Sequence, residues 1–360
     1  MVAGPILDAQ VVLPCADLAP TLAFFTERLG FRVAAIWPAD QPAHAVLSGH
    51  GLRVQLEPGR GPAGLLRLRC TDRGAVGGGA TVLTAPNGTR IELLDADPPL
   101  VVPPLREALV VSRADDGAAW GTGRAGMEYR DLIPGRLGGR FIASHIRIPG
   151  GGPVPDYVHF HKVRFQLIFC RRGWVRVVYE DQGEPFVMHA GDCVLQPPRI
   201  RHRVLESSPG LEVVEVGCPA EHETHADLVM DLPTDRLDAG RDFGGQRFVR
   251  HVAADALWSP WRVEGFEQRD TGIGAATGGL AGVRVARRVG DVPAAPWSHA
   301  GELLFLFVLE GSLALRPAEG GEVPLRAGDS VTVPAGLAHA LVDVSDDAEL
   351  LEVTLPDALA

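Results

Sequence analysis

Apolar residues along this chain fall mostly into short strand-like runs parted by Gly- and Pro-bearing turns, with one early stretch of helical period. The run AQVVLP is followed by DLAPTLAFFTERLGF, where Asp17 is placed to cap a helix. Its apolar face is Leu22, Phe25 and Leu29, and Gly30 ends it. Strand-like runs follow at 31–36, 44–48 and 52–57, then TRIELLD, before the Pro-rich break DADPPLVVPPL. From about 124 onward the pattern is nearly all β: FIASHIRI, FQLIFC, WVRVVYE and CVLQPP alternate with turns. A polar stretch at 218–242 interrupts, and a second β-rich segment runs on to the C-terminal end of the sequence.

The two β-rich segments repeat one another. FQLIFCRRGWVRV (165–177) parallels LLFLFVLEGSLAL (303–315), and HAGDCVLQPPRIRHRV (189–204) parallels RAGDSVTVPAGLAHAL (326–341). The step from Gly173 to Gly191 nearly equals that from Gly311 to Gly328, so one structural unit is used twice. A length of 360 residues exceeds one ordinary core. The reading is therefore a small α+β domain over 1–97, a linker over 98–123, and two β domains over 124–230 and 231–360.

Composition narrows the partners. At 46% hydrophobic and 22% charged, with 43 Gly and 29 Pro, the chain reads as a globular protein of short strands and tight turns. The net charge of −11 and the lack of a basic block argue against nucleic acid. No apolar run is long enough for a membrane span, and the first residues lack a signal-peptide pattern. Five scattered cysteines without a CxxC pair fit a reducing cytoplasm.

The stretch PDYVHFHKVRFQLIFCRRG carries the candidate chemistry. In a strand, residues two apart share a face, so His159 and His161 point together and Phe160 points away. Gln166 needs a turn near 162–165 to come back beside them from a neighbouring strand, and the Pro197–Pro198 turn delivers His202 from far along the chain. Three imidazoles and an amide oxygen suit one divalent first-row metal: Fe, Ni, Cu, Zn or Mn.

These residues resemble the cupin superfamily pattern of an HxH, a following acid, a glycine and a later G-x5-P-x4-H. Here the positions are His159, His161, Gln166, Gly173, Gly191, Pro197 and His202. The resemblance implies a mainly β fold of two tandem cupin (double-stranded β-helix, jelly-roll) barrels, with one metal held by the three histidines. Gln166 departs from the acid, and either ligates through its carbonyl oxygen or stands behind the ligands. An amide in place of a carboxylate leaves the site one unit more positive, which favours an anionic ligand.

The resemblance to bicupin dioxygenases implies a non-haem Fe(II) dioxygenase acting on a small anionic or enolisable molecule, phenolic or keto-acid-like. A redox-neutral isomerase, lyase or hydrolase and a non-catalytic small-molecule-binding cupin stay open beside it, and a homodimer is expected. By parity, Tyr157, Ile168, Cys170 and Val204 line the pocket, and Glu206 is a candidate general base. In the second barrel the motif becomes Trp297–Ser298–His299 and the acid position becomes Leu304. His299, Glu302 and His339 there form a candidate degenerate site inside a scaffold barrel.

Residues 9–95 resemble the vicinal oxygen chelate superfamily through VVLPCADLAPTLAFFTERLGF and APNGTRIELLD. Family metal positions match Gln10 and Glu92, but the segment reads as shortened, its second module lacking a helix and most strands, and a structural role is favoured. GTGRAG at 121–126 precedes no helix, which excludes a nucleotide loop, and His222 and His225 of HETH read as a solvated linker.

Overall fold

Two compact units make up the chain, residues 1–99 and 100–360. The structure, a computed structural model, describes residues 9–38, 42–59, 61–115 and 120–359.

In the first unit, Val11–Pro14 leads into the helix Leu18–Ala23, which continues as a π turn over Phe24–Arg28. Phe25 and Leu29 are buried, and Gly30 turns the chain with φ of +74°. Val11–Pro14 then pairs in parallel with Leu52–Glu57, followed outward by His44–Gly49 and Arg32–Trp37. The second sheet pairs Leu65–Cys70 in parallel with Arg90–Asp95 and adds Val82–Thr84. Between Leu65–Cys70 and Val82–Thr84 lies a helix that the sequence reading did not expect, Arg73–Gly77, capped by Asp72 accepting from the Ala75 N–H at 3.0 Å. Its five residues include two glycines and are too few to show a helical period.

In the second unit, each repeat folds into a barrel of two facing sheets. The larger sheet of barrel 1 runs in the order Val249–His251, Cys193–Leu195, Phe165–Arg172, Leu211–Cys218, Ile142–Ile148, Glu128–Asp131, Gly121–Thr122. The smaller runs Phe186–His189, Trp174–Tyr179, His202–Ser207, His159–His161, Thr224–Ala226. Barrel 2 repeats the plan, with Gly282–Arg288, Glu349–Leu355 and Leu303–Glu310 central in its larger sheet.

Strand alternation explains why the central strands read as unbroken apolar runs. Phe165, Leu167 and Phe169 leave barrel 1 on one side and meet Leu303, Phe305 and Phe307 of barrel 2 in one shared core. The alternate residues, Ile168 and Cys170 in one barrel and Leu304, Leu306 and Val308 in the other, fill the barrel interiors. Each fully buried Phe or Leu contributes roughly 1.5–3 kcal/mol. The contact is nearly two-fold: Arg130 donates to Gly328 O at 2.6 Å, and Arg269 donates to Gly191 O at 2.9 Å.

Two short strands cross the boundaries expected from the sequence. Val110–Ser112, inside the stretch read as linker, pairs with Ser330–Thr332 and closes the larger sheet of barrel 2. Val249–His251, inside the stretch read as the second barrel, pairs with Cys193–Leu195 of barrel 1. Each repeat thus opens with a strand given to the other barrel. Three-residue strands carry no period, so pattern reading has no hold on which sheet they join. No helix among the described residues is long and apolar enough to cross a membrane.

Candidate metal centre

His159 and His202 stand directly opposite one another in antiparallel register, with ring centroids 4.2 Å apart. His161, two residues along the same strand, lies 5.2 Å from the first ring and 5.5 Å from the second. One ring nitrogen of each comes within 4.8 Å of the other two, and all three side chains are buried.

Main-chain carbonyls fix the rings. Nδ1 of His159 meets Tyr157 O at 2.7 Å, that of His161 meets Glu223 O at 3.1 Å, and that of His202 meets Ile200 O at 3.0 Å. A carbonyl only accepts, so each Nδ1 carries the proton and each neutral ring has its lone pair on Nε2. The donor set fits a divalent first-row ion, which favours neutral imidazole nitrogens held in place by hydrogen bonds on the far side of the ring. Behind His159, the buried Asp156 lies 3.6 Å from Nδ1 and accepts from the Val204 N–H at 2.9 Å.

Gln166 reaches the site by a different route from the one expected. The chain crosses at Lys162–Arg164 from the smaller sheet to the larger, so Gln166 faces the histidines from across the barrel. Its Nε2 donates to Glu215 Oε1 at 2.6 Å, which leaves the carbonyl oxygen as the ligating end of the amide. Both residues line a cavity of about 450 Å³ together with the three histidines. The walls are Ile146, Ile168, Val175, Val177, Met188, Val204 and Val213, and the size suits a small molecule.

Glu215 changes the charge argument made from sequence. The carboxylate absent at 166 is present one hydrogen bond away, so the site is not one unit more positive than a three-histidine, one-acid set. The signal for it lay in LEVVEVGC. Glu212 and Glu215 are three apart, so they take opposite faces of a strand covered on both sides. Glu212 takes the face toward barrel 2, bonded to His145 at 2.9 Å and Arg171 at 2.6 Å; the His145 hydrogen bond leads in holding its carboxyl at about 2.

The other expected residues divide. Ile168 and Val204 line the cavity. Tyr157 stands outside the cavity wall, 41% exposed, its ring edge-on to His159. Cys170 is packed under the wall with Val175 and Val194, and burial pushes its thiol up to about 12. Glu206 points outward and pairs with Arg176 at 3.1 Å. The cause is a bulge: Val177 faces Val204 but Arg176 faces Glu206, and the extra residue reverses the parity.

The polar stretch after Cys218 is part of the site. Thr224–Ala226 pairs with His159–His161, Glu223 supplies the carbonyl for His161, and Thr224 and His222 line the cavity. The His222 ring sits 5.1 Å from that of His161, while His225 stacks on Phe160 on the other side. Tyr179 stacks 5.5 Å over His202 and its hydroxyl accepts from Gln196 Nε2 at 2.8 Å. Burial pushes that phenol up, so it keeps its proton.

In barrel 2 the candidate residues do not converge. Glu302, just before the Leu303–Glu310 strand, turns to Arg164 at 2.9 Å and Arg140 of barrel 1, and the Arg164 hydrogen bond leads in holding its carboxyl at about 2. His299 uses both nitrogens, with Nε2 donating to Val333 O at 3.0 Å and Nδ1 accepting from the Gly301 N–H at 3.2 Å. Its ring is 6.5 Å from His339, whose Nε2 is buried without a partner. In the first unit, Gln10 bonds Gln55, and Glu92 pairs with Arg67 and Arg90.

Comparison with known proteins agrees with this architecture. The cupin domain family matches twice, over residues 144–216 and 284–354. The first match spans the three histidines, Gln166 and Glu215. Both barrels have the cupin fold. Ylba of E. coli is 11% identical, covers 72% of this chain and 95% of its own, and superposes with a TM-score of 0.53. A mutant of Bacillus subtilis oxalate decarboxylase OxdC is 14% identical, over 72% of this chain and 79% of OxdC, with a TM-score of 0.51. The Lactobacillus farciminis oxalate decarboxylase formate complex is 14% identical, over 72% and 88%, with a TM-score of 0.50. At such identity the likeness is one of fold. A search of curated proteins by sequence finds no match.

Proposed function

We propose that barrel 1 is the centre of a metal-dependent enzyme acting on a small anionic or enolisable molecule, and that its reaction is a dioxygenation with iron. The observation that carries the metal reading is the common orientation of three imidazoles, each with Nδ1–H on a carbonyl and a nitrogen turned toward the other two. Bound there, a divalent ion supplies Lewis acidity toward a chelating hydroxyl or carboxylate and, as iron, redox access to dioxygen.

His159, His161 and His202 would hold the ion, with the Gln166 carbonyl oxygen as a fourth donor. The aliphatic walls bind the body of the substrate and keep water out. Ser144 and Thr224 offer hydroxyls on the wall to orient polar atoms, and the Tyr179–Gln196 bond holds the His202 ring from behind. The N-terminal unit is read as a glyoxalase-like module with a structural role. Its first five elements run strand, helix, then three strands, and the first and last strands pair in parallel.

A second reading, a redox-neutral lyase, isomerase or hydrolase, draws on Glu215, a carboxylate on the cavity wall within reach of a bound ligand's protons. The Bacillus subtilis oxalate decarboxylase has Mn(II) centres, which puts manganese beside iron as the ion for that reading. Turnover of phenolic and keto acids with and without air separates the cases. Oxygen uptake matched to substrate loss supports dioxygenation, and equal anaerobic conversion supports the second reading. Saturable binding without conversion makes the cavity a ligand-binding site only.

A further inference from the structure

Glu215 is the only acidic side chain among the described residues that line the cavity, and its hydrogen bond is to the Gln166 amide. No arginine or lysine forms an ion pair with it among the described residues. Among the described residues, this carboxylate on a mostly apolar wall is answered by a neutral amide and by no counter-charge.

Barrel 2 holds the same carboxylate with its cation in place. Glu215 pairs across the sheet with Ile168 and Ser144, while Glu352 pairs with Leu306 and Arg284. The sequence repeat sets Ile168 against Leu306 and Gln166 against Leu304, so Glu215 and Glu352 occupy one position of the two barrels. Glu352 is fully buried, and Arg262 grips both of its oxygens, with Nη1 to Oε1 at 2.7 Å. That guanidinium lies between Trp261 and Trp297, 4.4 and 4.3 Å from the rings. Where barrel 1 assembles three histidines and an amide, barrel 2 has an arginine, a leucine and two histidines that stand apart.

We infer that Glu215 is a positioning residue for the metal centre: it supplies the missing negative charge through Gln166, orienting the amide so that its carbonyl oxygen faces the ion. This rests on the metal reading above. A carboxylate accepting from the amide N–H polarises the amide toward its oxygen, which makes that oxygen a better ligand, as partners behind metal ligands commonly do. The charge stays near the ion while the ligating amide oxygen itself is neutral. By sequence, the position matching Arg262 is Arg124, the rival source of a counter-charge.

Metal affinity measured by chelator competition with Mn(II) or Fe(II) tests this on the full chain. Wild type should bind one ion, and Glu215→Gln, which keeps the shape, should bind it at least about tenfold more weakly. The exchanged double variant Q166E/E215Q, with the carboxylate moved onto the metal side of the same hydrogen bond, should recover most of the loss. Its recovery also shows that the single variant's defect is not misfolding. Arg124→Ala should leave the affinity unchanged. A Glu215→Gln protein that binds as tightly as wild type overturns the inference, as does a double variant no better than the single one. An Arg124→Ala loss equal to that of Glu215→Gln gives the charge to Arg124 and overturns it too. Wild type that binds no ion rejects the metal reading itself, a distinct result.

Discussion

Asp156 shows how far the support of one ligand extends. Its carboxylate caps the Val204 N–H and lies beside His159 Nδ1, so one buried acid steadies both strands that carry the facing histidines. Asp156→Ala leaves that N–H without its acceptor, and a loss of about 1–3 kcal/mol in urea unfolding is expected. A loss near zero would mean water replaces the carboxylate. At this scale the histidines were legible because an HxH fixes its own facing, whatever the rest of the fold does. Gln166 was legible as a candidate but not its route, since sequence does not say that the chain changes sheets at Lys162–Arg164. Glu215 was missed although its parity against Glu212 was there to read. Neither acid belongs to the motif that drew attention to the histidines.

Among the elements, the His202–Ser207 strand is the most informative. Alternation carried forward from His202 puts Val204 and Glu206 on one face, and the bulge against Arg176 and Val177 breaks that count after Val204. A bulge leaves no mark in an apolar–polar pattern, so the Glu206 expectation failed for a local backbone reason. Deleting Leu205 should remove the bulge and leave Glu206 opposite Arg176 in an unbroken ladder, still facing away from the cavity. Glu206→Gln should accordingly leave metal and ligand affinity unchanged, and a marked loss would contradict the outward placement. The stretch after Cys218 taught the opposite lesson: its polar composition reads as linker, yet Thr224–Ala226 is the strand that completes the wall beside His161. Two of its polar residues, His222 and Thr224, line the cavity.

For the molecule as a whole, the repeat predicted two barrels and the shared core explains why they come together. Strands exchanged at Val110–Ser112 and Val249–His251, with Phe165 and Phe305 packed in one core, make each barrel incomplete alone. A chain cut after residue 230 should be insoluble or molten by near-UV circular dichroism; a folded, soluble fragment would contradict the shared core. The barrel contact also carries two carboxylates held at about 2, Glu212 by His145 and Glu302 by Arg164. Their folded values lie below the ordinary 4.5. Their contribution is therefore complete above that value and is lost as the pH falls toward 2. Thermal unfolding followed down this range should show wild type losing stability more steeply than a Glu212→Gln/Glu302→Gln protein, and parallel curves would remove the two clamps from the account.

The most direct measurement is the metal content of the purified full chain beside that of His159→Ala. The account predicts one equivalent of a first-row transition metal in the wild-type protein and its loss in the variant, with the fold intact by circular dichroism. Wild type without metal after loading, or a variant that keeps the full equivalent, would contradict it.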